Sequence, residues 1–169
     1  MAVFEKEYWK RKDWDLLQNG PISLYYRQEV LQNDLEWLRE HDYEIDDFNC
    51  GEWQTKLDLH EALADQLDFP GYYGHNLDAL NDCLCDIAVP DQGGRVIVFH
   101  QYDWFFKLLP EVAWHVLDIF ASNARIHLLF GKRLIVLVQS DDPRINFKPV
   151  GACPVYWNRR EWLNSNRGL

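Results

Sequence analysis

Apolar positions along this chain follow two rhythms, and together they outline an alternating α/β protein. Residues 1–21 carry Trp9, Trp14, Leu16 and Leu17, apolar enough to dock, and end in the turn Asn19-Gly20-Pro21. A short strand is expected over residues 22–26. Val30, Leu31, Leu35, Trp37 and Leu38 then recur at helical spacing and predict an amphipathic helix over 28–41. A strand over 43–49 follows, with Tyr43, Ile45 and Asp47 alternating to one side and Phe48 interrupting the pattern. Leu57, Leu59, Leu63 and Leu67 predict a helix over 56–67, with Thr55 or Asp58 as its cap and Pro70 just beyond its end. Arg95–Phe99 and Leu134–Val138 are continuous apolar runs of strand length, the pattern of parallel strands covered on both faces. Between them come a short helix over 102–109 and a longer one opened by Pro110 and carried to about residue 123. Residues 124–132 fit either more helix or a loop. Asn158 and Glu161 have capping-box spacing for a terminal helix that includes Trp162 and Leu163. The order β-α-β-α-α-β-α-α-β favours parallel pairing through crossovers.

One stretch stands apart from this scaffold pattern, residues 70–86. Gly71 and Gly74 bracket Tyr72 and Tyr73, and the glycines are expected to supply backbone angles closed to other residues. Asn76 suits a helix N-cap. Leu77, Leu80, Leu84 and Ile87 form an apolar stripe behind it. Asp78, Asp82 and Asp86 form a second, acidic stripe, about 6 Å apart along one side of the helix. On spacing alone a solvated face is the better reading, and a protein-binding face is the alternative. Catalytic or metal carboxylates converge in a cleft from several elements rather than forming a ridge.

Charge changes the picture more than overall composition does. The formal net charge is −10. Between Glu40 and Asp91 there are 14 Asp or Glu against one basic residue, Lys56, whereas residues 143–169 hold five Arg or Lys against Glu161 alone. An acidic centre repels nucleic acid and attracts basic partners. The aromatic, basic tail (Tyr156, Trp157, Arg159, Arg160, Arg167) is short, and its rings are expected to pack on the domain. No run has the length of a membrane span, and residues 1–14 lack the apolar core of a signal peptide, so a cytoplasmic protein with reduced cysteines is expected. Cys83-x-Cys85 near His75 has the wrong spacing for a zinc knuckle, and none of the six histidines pairs at ligand spacing. No phosphate-binding loop, nucleophile elbow or dinucleotide fingerprint is present, so neither cofactor nor metal nor enzymatic activity is expected.

The run Phe69-Pro-Gly-Tyr-Tyr-Gly-His-Asn-Leu-Asp-Ala-Leu-Asn-Asp-Cys-Leu84, preceded by Leu59-His-Glu-Ala-Leu63, resembles the signature of the barstar family, intracellular inhibitors of barnase-type ribonucleases. The flanking order of strands and helices agrees. The resemblance covers residues 43–140, leaving 1–42 and 141–169 as terminal extensions. It implies an α/β domain in two or three layers, with a small three-stranded parallel sheet and packed helices. It also implies a partner, a basic secreted ribonuclease or nuclease toxin, and neither nucleic acid nor membrane. By position, the binding residues are Tyr72, Tyr73, Gly74, His75, Asn76, Asp78, Ala79, Asn81 and Asp82. Tyr72 and Gly74 shape the loop contact, Ala79 permits close approach, and Asp82 is the main anion, replacing a substrate phosphate.

This chain also departs from that pattern. Asn81 and Ile87 stand where the family's best-known member carries contact aromatics, His75 stands where it has an acid, and Ser122 falls near one of its glutamates. An inhibitor with a target other than barnase is therefore expected. The alternative is a non-inhibitory interaction module whose extensions cover the same surface.

Overall fold

A computed structural model describes residues 11–163 and 165–167, so Trp9 lies outside the described residues. The described chain runs α1 (Lys12–Leu17), β1 (Ile22–Tyr25), α2 (Gln28–Glu40), β2 (Tyr43–Asn49), α3 (Lys56–Gln66), α4 (Leu77–Cys85), β3 (Gly94–His100), α5 (Tyr102–Leu108), α6 (Pro110–Leu129), β4 (Leu134–Gln139) and β5 (Tyr156–Trp157). All strand pairs are parallel, in the order β2-β3-β4-β1-β5. The three strands implied by the resemblance are neighbours, but the sheet has five: the strand expected over 22–26 is β1, and β5 was not expected. β1 and β5, from the terminal segments, add to its open edge beside β4, which covers backbone groups that would otherwise be unpaired.

Strand alternation assigns the two faces. Val96, Val98, Ile135, Leu137, Tyr25 and Tyr43 point to one side, where Leu31, Leu35 and Leu38 of α2 and Leu16 of α1 cover them. Ile97, Phe99, Val136, Val138, Leu24 and Phe48 point to the other side, beneath α3, α4, α5 and α6. The architecture is therefore three layers. It also explains Phe48, which looked out of pattern only if β2 had a single buried face. Asp46 shares the Phe48 side, its carboxylate held by both Arg95 Nε (2.7 Å) and Nη2 (3.2 Å).

Local chemistry sets the element ends. Thr55 and Asp58 do not compete for the cap of α3. They form a reciprocal capping box, which lowers the Asp58 pKa through backbone and hydroxyl hydrogen bonds. Residues 124–129 continue α6, because Ala124 and His127 face the core. At Gly93 (φ +66°) a Cβ would lie 2.0 Å from the Asp42 carbonyl oxygen, so the turn into β3 closes against the end of α2 only with glycine.

The terminal box of Asn158 and Glu161 is only half formed. Asn158 accepts from Arg160 N (3.0 Å), but the segment is a 3-10 turn, Arg159–Glu161, not a helix through Leu163. Glu161 is fully buried and turns away, accepting from Tyr26 N (3.2 Å), Arg27 N (2.9 Å) and Arg27 Nε (3.2 Å) at the start of α2. Tail and α2 are thereby joined. Trp157 is half-buried against the core with Arg167 over its ring at 3.9 Å, whereas Tyr156, also expected to pack on the domain, is exposed. Among the described residues no helix is long and apolar enough to cross a membrane.

Candidate protein-binding site

The loop between α3 and α4 is built from two left-handed residues, and neither is a glycine. Asp68 (φ 54°) ends α3, where Phe69 N donates to Ala64 O at 2.9 Å in the helix-terminating geometry usually served by glycine. His75 (φ 49°) turns the chain into α4. Gly71 and Gly74 have ordinary φ, contrary to the expectation that they would carry the unusual angles. Gly74 matters for space instead: a Cβ there would sit 2.9 Å from the Asn76 amide nitrogen, which donates to the Gly74 carbonyl.

Pro70–Tyr73 is a tight turn closed by Tyr73 N donating to Pro70 O at 2.8 Å. It separates the two tyrosines. Tyr72 stands at the apex and is 86% exposed. Tyr73 points inward and is 5% exposed, its ring packed 4.9 Å from Phe69 and 5.0 Å from His75. Its hydroxyl bonds Nδ1 of His60, a buried residue of α3. Burial raises the Tyr73 pKa; burial, then the charges of His75 and Lys56, lower that of His60. Tyr73, expected among the contact residues, is therefore a support: it fixes the loop from below while Tyr72 projects.

α4 starts as expected. Asn76 accepts from Ala79 N at 2.9 Å, and its φ and ψ are extended. Leu80 and Leu84 are fully buried against α6, and the Leu84 carbonyl meets His127 Nε2 at 2.8 Å. Asn81 also faces α6. Its carbonyl oxygen accepts from Nδ2 of the fully buried Asn123 at 3.0 Å, and Cys85 Sγ donates to Asn123 Oδ1 at 2.9 Å. Asn81 was expected to present a side chain to a partner; it links two helices instead. Asn123, His127 and His60 escaped the sequence reading because their partners lie on other elements. Cys83 is half-buried, and its thiol pKa is raised by burial and by Asp82 and Asp86, which leaves it a poor nucleophile.

What remains on the surface is a compact set. Tyr72, Gly74, His75, Asn76, Asp78 and Asp82 are exposed, with Ala79 half-exposed between the two carboxylates. Among the described residues, neither Asp78 nor Asp82 has an ion-pair partner, nor does any cluster have the makings of a metal site. A concavity of about 390 Å³ lies beside the ridge, bounded by Phe69, Tyr72, Asp82, Asp86 and Ile87. Such an arrangement, carboxylates without internal partners on a helix locked from behind, is suited to receive cationic groups.

Comparison with known proteins agrees with this geometry. The family described as "Barstar (barnase inhibitor)" matches residues 43–139. A Bacillus subtilis (strain 168) protein named "Putative ribonuclease inhibitor YrdF" is 73% identical over 62 residues, which cover 36% of this chain. The match spans 64% of that relative's length. Among solved structures, a chain of "Structure of Drosophila ORC bound to AT-rich DNA and Cdc6" superposes with a TM-score of 0.51 at 18% identity, covering 97% of this chain and 59% of that one. At that identity the likeness concerns the fold alone. The family match takes in more than half of the chain and contains the whole loop and acidic helix; the chain belongs to the barstar family.

Proposed function

We propose that this protein is an intracellular inhibitor of a microbial ribonuclease, entering the enzyme's basic cleft with the Tyr72 loop and the Asp78–Asp82 face of α4. The observation that carries the reading is the contrast between the two sides of α4. Leu80 and Leu84 are fully buried, while Asp78 and Asp82 are exposed and without an ion-pair partner among the described residues. A carboxylate on a rigid helix pays little ordering entropy when it meets Arg, Lys or His groups that normally hold a phosphate. The acidic centre of the chain would speed encounter with a basic enzyme; barnase–barstar is the worked case for that effect.

The target is a secreted, basic nuclease other than barnase, against which the protein acts as an immunity protein. Asn81 and Ile87 support this distinction, since one bonds α6 and the other is buried, so neither offers an aromatic contact. Because Asp78 and Asp82 are exposed, the alternative of a module whose extensions cover them has less support. The test is inhibition of a panel of basic microbial ribonucleases, with Asp82→Ala as the control variant. A charge-assisted contact of this kind is worth about 2–5 kcal/mol when its partner is left buried and unpaired. Equal inhibition by wild type and Asp82→Ala would refute the plug mechanism.

A further inference from the structure

A second concavity, of about 600 Å³, lies between α1, α2 and the C-terminal segment at the β5 edge of the sheet. Its lining residues all fall outside residues 43–139, so it is no part of the loop and acidic helix described above. Its size suits a small-molecule ligand. Two exposed aromatic side chains, Tyr156 and Trp162, line it. The cations Lys12, Arg159 and Arg160 line it too, against the carboxylates Asp15 and Asp34, so this corner of an acidic protein carries excess positive charge.

Buried Asp34 fixes two of these cations, Lys12 and Arg160. It bonds Lys12 Nζ at 2.8 Å, Tyr25 Oη at 2.8 Å, Asn158 Nδ2 at 3.1 Å and the Arg160 guanidinium. Donors remain after these bonds are counted. Lys12 has three N–H groups and spends two, on Asp34 and the Asn33 carbonyl. Arg159 has five and spends one, on Asp15 at 3.3 Å. In addition, Ser23 lines the cavity at 9% exposure, and its hydroxyl has no hydrogen-bond partner among the described residues. The hydroxyl is open to the cavity rather than enclosed, and so is free to bond a group held there.

We propose that this cavity binds a mononucleotide, its base against Tyr156 and Trp162 and its phosphate on the unspent donors of Lys12, Arg159 and Arg160, with Ser23 contributing its hydroxyl. The rings favour a planar group. Three separate cations and a hydroxyl suit a phosphate, which has three terminal oxygens, better than a carboxylate with two. The proposal is independent of the ribonuclease reading and stands or falls apart from it.

The test uses the full chain. Calorimetric and two-dimensional NMR titrations with each common ribonucleoside monophosphate are run beside inorganic phosphate and the uncharged nucleosides. The expected result is saturable binding by at least one nucleotide, with shifts at the Trp162 indole and the Ser23 amide, and weaker binding of phosphate or nucleoside alone. Arg159→Glu, at an exposed position, should weaken nucleotide binding by roughly tenfold or more, the effect of losing one charge-assisted hydrogen bond. Absence of shifts at Trp162 and Ser23 with every nucleotide overturns the proposal. So does phosphate binding as tightly as the nucleotide, or undiminished nucleotide affinity in folded Arg159→Glu.

Discussion

Replacing Tyr73 by Phe isolates the support beneath the Tyr72 loop. The ring remains, so contacts with Phe69 and His75 survive, and only the hydroxyl bonded to His60 Nδ1 is lost. Both residues are buried, at 5% and 3% exposure, so water cannot easily replace the missing group. An unsatisfied buried polar atom costs about 1–3 kcal/mol, and the lower part of that range applies because only one neutral ring nitrogen is left unpaired. We therefore expect a loss of about 1–2 kcal/mol. For a chain of this length that is a fall in Tm of about 2–8 °C. Urea unfolding should show a lower midpoint with unchanged slope. The sharper assay is a double-mutant cycle with His60→Phe. Each single variant strands one buried polar group, whereas the double variant strands neither and should recover part of the loss, with a coupling of about 1–2 kcal/mol. Strictly additive effects would show that the hydroxyl and imidazole do not act as a pair, and the account of Tyr73 as a loop support would then be wrong.

Three further outcomes follow from other contacts. His60 titrates below its ordinary value in the folded chain, so between that lowered pKa and 6.5 the unfolded state binds a proton that the folded state does not. Stability should thus fall as pH drops through about 6.5, and thermal melts across pH should show the decline reduced in His60→Phe. Glu161→Ala strands the Tyr26 and Arg27 donors and removes one of several ties between the tail and α2; a loss of about 3–5 kcal/mol is expected by urea unfolding, with Glu161→Gln less affected. Asn123→Ala removes the Asn81 and Cys85 bonds between α4 and α6; it should cost about 1–3 kcal/mol, and hydrogen exchange should accelerate first in α4.

Periodicity and capping placed most of the elements within a residue or two, but α1 and β5 were not expected and α6 runs on to Leu129. Both signals act locally: the apolar repeat of α2, the Thr55–Asp58 box and the Asn76 cap involve groups at most a few residues apart. The same local logic marked Tyr72, Asp78 and Asp82 as a distinctive surface, and the family resemblance gave that surface a meaning which spacing alone left open. Where local reasoning failed, it failed for geometric reasons. A Gly-Tyr-Tyr-Gly string predicts glycine-borne strain, yet the strain sits on Asp68 and His75, because the exit from α3 and the entry to α4 dictate where the chain must reverse.

By itself the sequence determined most of the elements, their parallel α/β order, and an acidic helix behind an aromatic loop. Only the tertiary structure decided which of those side chains stay exposed and which turn inward. Tyr73 turns inward to His60, 13 residues away; Asn81 pairs with Asn123, 42 away; Glu161 reaches Arg27, 134 away. Such pairs form because helices and strands, once packed, bring distant polar groups into a low-dielectric interior where leaving either one unpaired is costly. No pattern within a single helix or loop carries that information.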